Sequence, residues 1–356
     1  MRSLASWLLI LGTCLLPFVA AWPLLHPVNG QAWSPGIEEW NARMLWTVLY
    51  LVTGALIARV SWGLGLAVAL GAGEVLTMPP HIMARTTGGL LMLGGLGVAL
   101  AASWPSVVKA RAAVALGLAG VLEALVMLLQ AFRINPLWSG WMLAPENTTP
   151  GTFGNRAFCS TFVAMTSLFL PWPALIPIGG LLLYVGNKTA ILAFLLGCSI
   201  RFSPSPTWTV ASMTAVAIVF TLGCVFSLSG AARTWIWTHA TVQWLREVPW
   251  LGYGLGLAPA IHTPTGIGAA YDEFAWYHVH NEPLQFLRER GLVALPALTG
   301  IGVSLRTMLQ SRYAGPVAAL VMIAFAQPML HVVPFAAAAV LVCGLALSPT
   351  SDPIGA

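Results

Sequence analysis

Long apolar runs broken by proline, glycine or charge dominate the chain. They predict helical spans near 4–24, 43–59, 62–78, 87–104, 110–132, 156–171, 173–185, 188–200, 207–228, 291–309, 314–330 and 333–348. Several are shorter than the roughly 20 residues of a straight crossing, so some are expected as tilted members of a bundle or as half-membrane segments, about 10–12 in all. Two polar stretches interrupt the pattern, 132–156 and the larger 229–290. The fold class that follows is an all-α polytopic integral membrane protein. It forms a single transmembrane domain over 1–356, with both polar stretches as loops on one face.

Composition supports that reading. Hydrophobic residues make up 58% of the chain, charged ones 8%, and mean hydropathy is +0.82, outside the soluble globular range. Residues 1–22 resemble a signal peptide. The apolar stretch exceeds a typical signal core, which favours an uncleaved first span. Cys14, Cys159, Cys198, Cys224 and Cys343 are scattered without a CxxC pair, so a disulfide framework or zinc site is not expected.

Charge bears on orientation. With the N-terminus inside, the inner side carries Arg2, Arg59, Lys109, Arg111, Arg201, Arg306 and Arg312 against one acid, Asp352. The outer side then holds Arg43, Arg85, Arg133, Arg156, Lys188, Arg233, Arg246, Arg288 and Arg290 together with most of the acids. Acid balance favours this orientation, whereas the count of basic residues does not. Glu74 and Glu123 fall inside spans, where a carboxylate pairs with a polar partner or serves a proton relay.

The densest chemistry lies at 278–292, where His278, His280, Glu282, Arg288, Glu289 and Arg290 crowd the edge of a span. Polar groups are costly beside a bilayer and mark functional sites there. Histidine can exchange a proton near neutral pH. His278 and His280, at i and i+2, share a face of an extended segment as metal ligands can, but no third histidine stands at ligand spacing, and no metal is expected. Gly252, Gly254 and Gly256 lack the dinucleotide-loop spacing and read as a tight turn with close backbone approach. Trp235, Trp237, Trp244 and Trp250 read first as interface anchors and second as a sugar-stacking surface.

Arg156, Lys188 and Arg233 stand at outer span ends without an acidic neighbour in sequence. Such cations either snorkel to headgroups or bind an anion with several oxygens. A lipid-linked pyrophosphate fits, since its tail stays in the bilayer while its head sits at the surface. A histidine beside that head could take the proton from an attacking sugar hydroxyl while the cations stabilise the departing pyrophosphate. No cofactor is then needed.

A series of motifs in order carries a family resemblance. Gly151-Thr152-Phe153-Gly154-Asn155 resembles "GtfgNpN", and Gly186-Asn187-Lys188-Thr189-Ala190 stands where "SRsa" is common. Arg233 and Trp237, followed by Glu247-Val248-Pro249-Trp250-Leu251-Gly252-Tyr253-Gly254-Leu255-Gly256, resemble "R…W…enPllGvGlG". His280-Asn281-Glu282-Pro283-Leu284-Gln285 with Glu289-Arg290-Gly291-Leu292 resembles "HNxxLQxxxExGl". Over about residues 130–310 the chain thus resembles the O-antigen ligase and O-antigen polymerase superfamily of bacterial envelope glycosyltransferases.

The resemblance implies a GT-C-like fold and metal-independent, inverting transfer of a glycan from undecaprenyl pyrophosphate. It implies His280 and Arg233 as catalytic residues. The donor pyrophosphate is expected on Arg156, Lys188 and Arg288, with Asn155, Asn281, Gln285 and His278 in support. Lys188 replaces a common arginine and so keeps the charge without the bidentate fork. His278 has no fixed counterpart, and Pro283 and Arg290 are variable positions.

Four functions fit these motifs to different degrees. A ligase would pass the glycan to lipid A-core in lipopolysaccharide biosynthesis, and a polymerase would pass it to another lipid-linked glycan. A protein oligosaccharyltransferase of the superfamily generally carries a large C-terminal extension, and the sequence given stops at Ala356. A non-enzymatic transporter would show paired intramembrane charges and repeat symmetry. The expectation is an O-antigen ligase, with the polymerase as alternative, in the bacterial inner membrane and with its site facing the periplasm. Its expected partners are the donor, the acceptor and membrane lipids, without nucleic acid.

Overall fold

The computed structural model describes residues 37–77, 82–134, 149, 151–152, 155–202, 205–226, 228–254, 258–259, 261–262, 275–276, 279–327, 330 and 333–347. The span expected at 4–24 lies outside them. Thirteen α-helices account for most of the described chain: α1 (Ile37–Ala58), α2 (Trp62–Thr77), α3 (Ile82–Ala102), α4 (Ser106–Ala131), α5 (Arg156–Thr166), α6 (Trp172–Val185), α7 (Lys188–Phe202), α8 (Pro206–Phe226), α9 (Leu228–Glu247), α10 (Glu282–Arg290), α11 (Leu295–Met308), α12 (Ala314–Ala326) and α13 (Val333–Ala346). Short 3₁₀ turns follow α5 and precede α11. One two-residue antiparallel pair, β1 (Ile261–His262) with β2 (Ala275–Trp276), completes the set. The described chain is thus all-helical in class, and most of its helices follow the apolar runs.

The segment 229–290, expected as a loop, instead carries α9 and α10. Helix α9 was hidden by its polar content, yet Arg233, Ile236, Trp237 and Ala240 recur at i, i+3, i+4 and i+7, the spacing of one helical face. Ile236 and Ala240 are buried against Ile261 and Val279, with Trp237 and Leu284 packed beside them. Tertiary packing of that face stabilises the helix.

The chain divides into two compact units. In the first (Met1–Ala99, Gln243–Pro259, Phe286–Val303), Trp46, Tyr50, Ile57, Val68 and Met92 from α1, α2 and α3 form a small core. In the second (Leu100–Val242, Ala260–Gln285, Ser304–Ala356), α4, α5, α6, α7, α12 and α13 enclose the main core.

Around its apolar core the second unit also buries polar side chains and exposes large apolar ones. Its interior holds Lys109, Glu123, Gln130, Ser160, Thr161 and Thr166, whereas Leu122, Leu183 and Val210 are 65%, 66% and 65% exposed. Among the described residues α4, with 26 residues, is the one helix long and apolar enough to cross a bilayer alone. Residues of α10 and α11 reach that standard only as a pair bent by 120°, and the remaining apolar helices are shorter.

Candidate functional site

One group of candidate residues lies at the corner that ends at α10. Val279 is fully buried and its backbone is held at both ends. Its N–H donates to Gln285 Oε1 at 3.2 Å, and its carbonyl accepts from Trp237 Nε1 at 2.7 Å. The chain then turns through His280 with φ of 54°. A non-glycine residue in this left-handed region is uncommon, and histidine and asparagine are among those that enter it most readily. Asn281 follows as the N-cap of α10: its Oδ1 accepts from Leu284 N–H at 2.9 Å, while its Nδ2 donates to Phe325 O at 3.3 Å. Glu282 Oε1 accepts from Leu330 N–H at 2.9 Å.

These bonds hold the backbone on either side of His280. Trp237 and Gln285 hold the residue before it, and the Asn281 cap holds the residue after it. Arg233 lies one helical turn before Trp237 on the same face of α9, the face packed towards Val279. His278 lies outside the described residues.

A second group lies at a pair of helix N-termini. Asn155 caps α5 by accepting from Ala157 N–H at 2.8 Å. Asn187 caps α7, its Oδ1 accepting from Thr189 N–H at 3.1 Å and Ala190 N–H at 3.4 Å. The Asn187 amide also crosses to α5, donating to Ser160 Oγ at 2.7 Å and Ala157 O at 3.2 Å. One side chain thus caps one helix and binds the first turn of the next. Arg156 and Lys188, the first residues of these two helices, are exposed. Two N-termini concentrate amide dipoles, and two cations add full charge. Such an arrangement suits a phosphate oxyanion. Arg233, His280 and this cationic pair all belong to the second compact unit.

Arg288 differs from them in burial. It is 0% exposed and belongs to the first compact unit, where Nη2 donates to Gln243 Oε1 and Pro259 O. Its guanidinium stands 5.5 Å from the Tyr253 ring. Burial lowers its pKa, opposed by the charges of Tyr253, Glu289 and Glu247. These contacts make Arg288 a structural clamp.

No family model matches this sequence, and no curated protein matches it.

The tryptophans divide by role. Trp237 is the hydrogen-bonded prop described above, Trp244 is buried, and Trp250 is 68% exposed. Trp235 stacks on His239 with ring centroids 3.6 Å apart. The Gly252 turn makes the close backbone approach its glycines suggest: Tyr253 N–H donates to Arg288 O and Gly254 N–H to Glu289 O, at 3.1 and 2.7 Å.

Beside that turn, the Tyr253 phenol donates to Glu247 Oε2 at 2.6 Å. Burial first, then this bond and the Glu247 charge, push the Tyr253 pKa from 10.0 up to about 12, against the opposing Arg288 charge. A raised folded-state pKa of this kind gives stability that is complete below pH 10 and fades as pH rises towards about 12. A wild-type minus Tyr253→Phe difference titration of phenolate absorbance should therefore show one tyrosine ionising near pH 12. A difference centred at pH 10 would contradict the bond. Tyr253→Phe should also flatten the loss of stability between these two values.

Proposed function

We propose that this chain is a multi-pass inner-membrane glycosyltransferase that moves a glycan from undecaprenyl pyrophosphate to an acceptor sugar, with inversion and without a metal. The observation that carries the reading is the joined pair of asparagine-capped helix N-termini with Arg156 and Lys188, in the same compact unit as the braced His280. The membrane assignment rests on the exposed apolar and buried polar side chains of the second unit. The glycosyl-transfer assignment rests on the ordered motifs.

In the reaction, His280 removes the proton of the acceptor hydroxyl as its oxygen attacks the anomeric carbon. The bond from that carbon to the pyrophosphate oxygen breaks, and its electron pair leaves with the lipid pyrophosphate. Arg233 and the Arg156–Lys188 pair stabilise the growing negative charge. Arg288, buried with its Nη2 bonded to Gln243 and Pro259, is given no role in this step.

Of the acceptors we favour lipid A-core, which makes the protein an O-antigen ligase at the periplasmic face. The alternative is a polymerase extending a lipid-linked glycan. A reconstituted assay with labelled undecaprenyl-pyrophosphate glycan decides between them. Label on lipid A-core only when it is supplied supports ligation, and label lengthening on its own carrier supports polymerisation. Absence of transfer to either rejects the enzyme reading.

Arg156→Ala and Lys188→Ala should each raise the donor KM by about tenfold, the loss of one charge-assisted contact, with the acceptor KM unchanged. Initial rates against each substrate check this, and an unchanged donor KM would refute the pyrophosphate site.

A further inference from the structure

Glu123 sits in the middle of α4 and is 4% exposed. A buried carboxylate requires donors, and these come from one turn of chain before α5. Glu123 Oε1 accepts from Thr152 N–H at 2.9 Å and Oε2 from Thr152 Oγ1 at 2.6 Å. Two helical turns along the same face, Gln130 Oε1 accepts from Gly151 N–H at 2.7 Å. Gly151 has φ of 61°, and a Cβ there would overlap Glu123 Oε1 and Cys159 Sγ. The turn is therefore wedged between α4 and the first turn of α5, gripped by three hydrogen bonds and open only to glycine. Three residues on, Asn155 caps α5 and Arg156 begins it.

We propose that Glu123 and Gln130 form a latch that sets the position of the α5 N-terminus, and with it Arg156, for the lipid pyrophosphate. The inference rests on the donor reading above. Glu123 is a positioning residue that never touches the substrate. Asn187 couples α7 to the same first turn of α5, so the latch fixes Lys188 as well. It also accounts for the threonine of the Gly151-Thr152 pair. Threonine supplies both a backbone and a hydroxyl donor to one carboxylate.

The test is binding of undecaprenyl pyrophosphate to the full chain in nanodiscs. Glu123→Ala and Thr152→Val should weaken binding by about three- to tenfold, in line with the loss of one or more hydrogen bonds to a charged group. Glu123→Gln and Thr152→Ser retain the geometry and should bind near the wild-type level. Adding Glu123→Ala or Thr152→Val to Arg156→Ala should cost little more than Arg156→Ala alone, because the latch acts through Arg156 and coupled sites are non-additive. Thr152→Val alters the turn side of the latch and keeps the test alive if Glu123→Ala does not fold.

Weakening by Arg156→Ala but not by folded latch variants overturns the latch and leaves the donor site intact. Full additivity in the double variants overturns it too, since a merely structural effect would add. Wild-type protein that does not bind the lipid rejects the donor reading, and the latch's role falls with it.

Discussion

His280→Asn is expected to lower glycan transfer by about a thousandfold or more, the scale of a lost general base in a positioned site, while the protein stays folded. Asparagine is the informative replacement because position 280 has φ of 54°. It enters the left-handed region readily, so the Trp237 and Gln285 bonds that hold Val279 remain. His280→Ala removes the same base but adds a backbone cost of about 1 kcal/mol or more, so its loss mixes two effects. Arg233→Ala should reduce turnover by about a hundredfold or more, through weaker stabilisation of the leaving pyrophosphate. Turnover and a thermal melt on the same preparations check both variants. His280→Asn turning over within tenfold of wild type would sink the mechanism.

Gly252→Ala is expected to be a severely damaging small substitution. Gly252 has φ of 67°, and an added Cβ would overlap the Glu289 carbonyl and Arg290 N. Those are backbone atoms, which cannot rotate away. Left-handed strain and overlap together should cost about 3 kcal/mol or more, a large share of a typical folding free energy. Gly302→Ala is the control, since nothing lies within 4 Å of a Cβ there. It should be neutral or stabilising by about 0.5–1 kcal/mol in its helix. Melting temperatures of the two variants test the contrast, and equal melts would contradict the packing at Gly252.

The helices of both compact units were legible because apolar runs must end where proline, glycine or charge ends them. The expected runs 62–78 and 333–348 became Trp62–Thr77 and Val333–Ala346. Helices α9 and α10 were not read as such, because hydropathy hides helices rich in Arg, Trp, His and Glu. Their signals were the 233/236/237/240 face and Asn281 as an N-cap before Glu282-Pro283. The chemistry of Arg156, Lys188 and His280 was visible as residue type, whereas the bonds that brace them were not. Trp237 meets Val279 and Glu123 meets Thr152 across long stretches of chain. Arg288 shows the opposite limit, since its charge drew attention to a residue that the fold buries.

The paired caps of α5 and α7 carry a kinetic consequence. Asn155 and Asn187 cap the helices that begin with Arg156 and Lys188, and under the proposal these cations bind an anion common to every lipid-pyrophosphate donor, whatever sugar it bears. Under the proposed reaction this anion gains a negative charge when the glycan leaves, so the spent carrier would be held by the cations at least as well as the donor. Release of the lipid pyrophosphate would then limit turnover, and the spent carrier would compete with fresh donor. Its removal by a phosphatase would speed the cycle without touching the glycan.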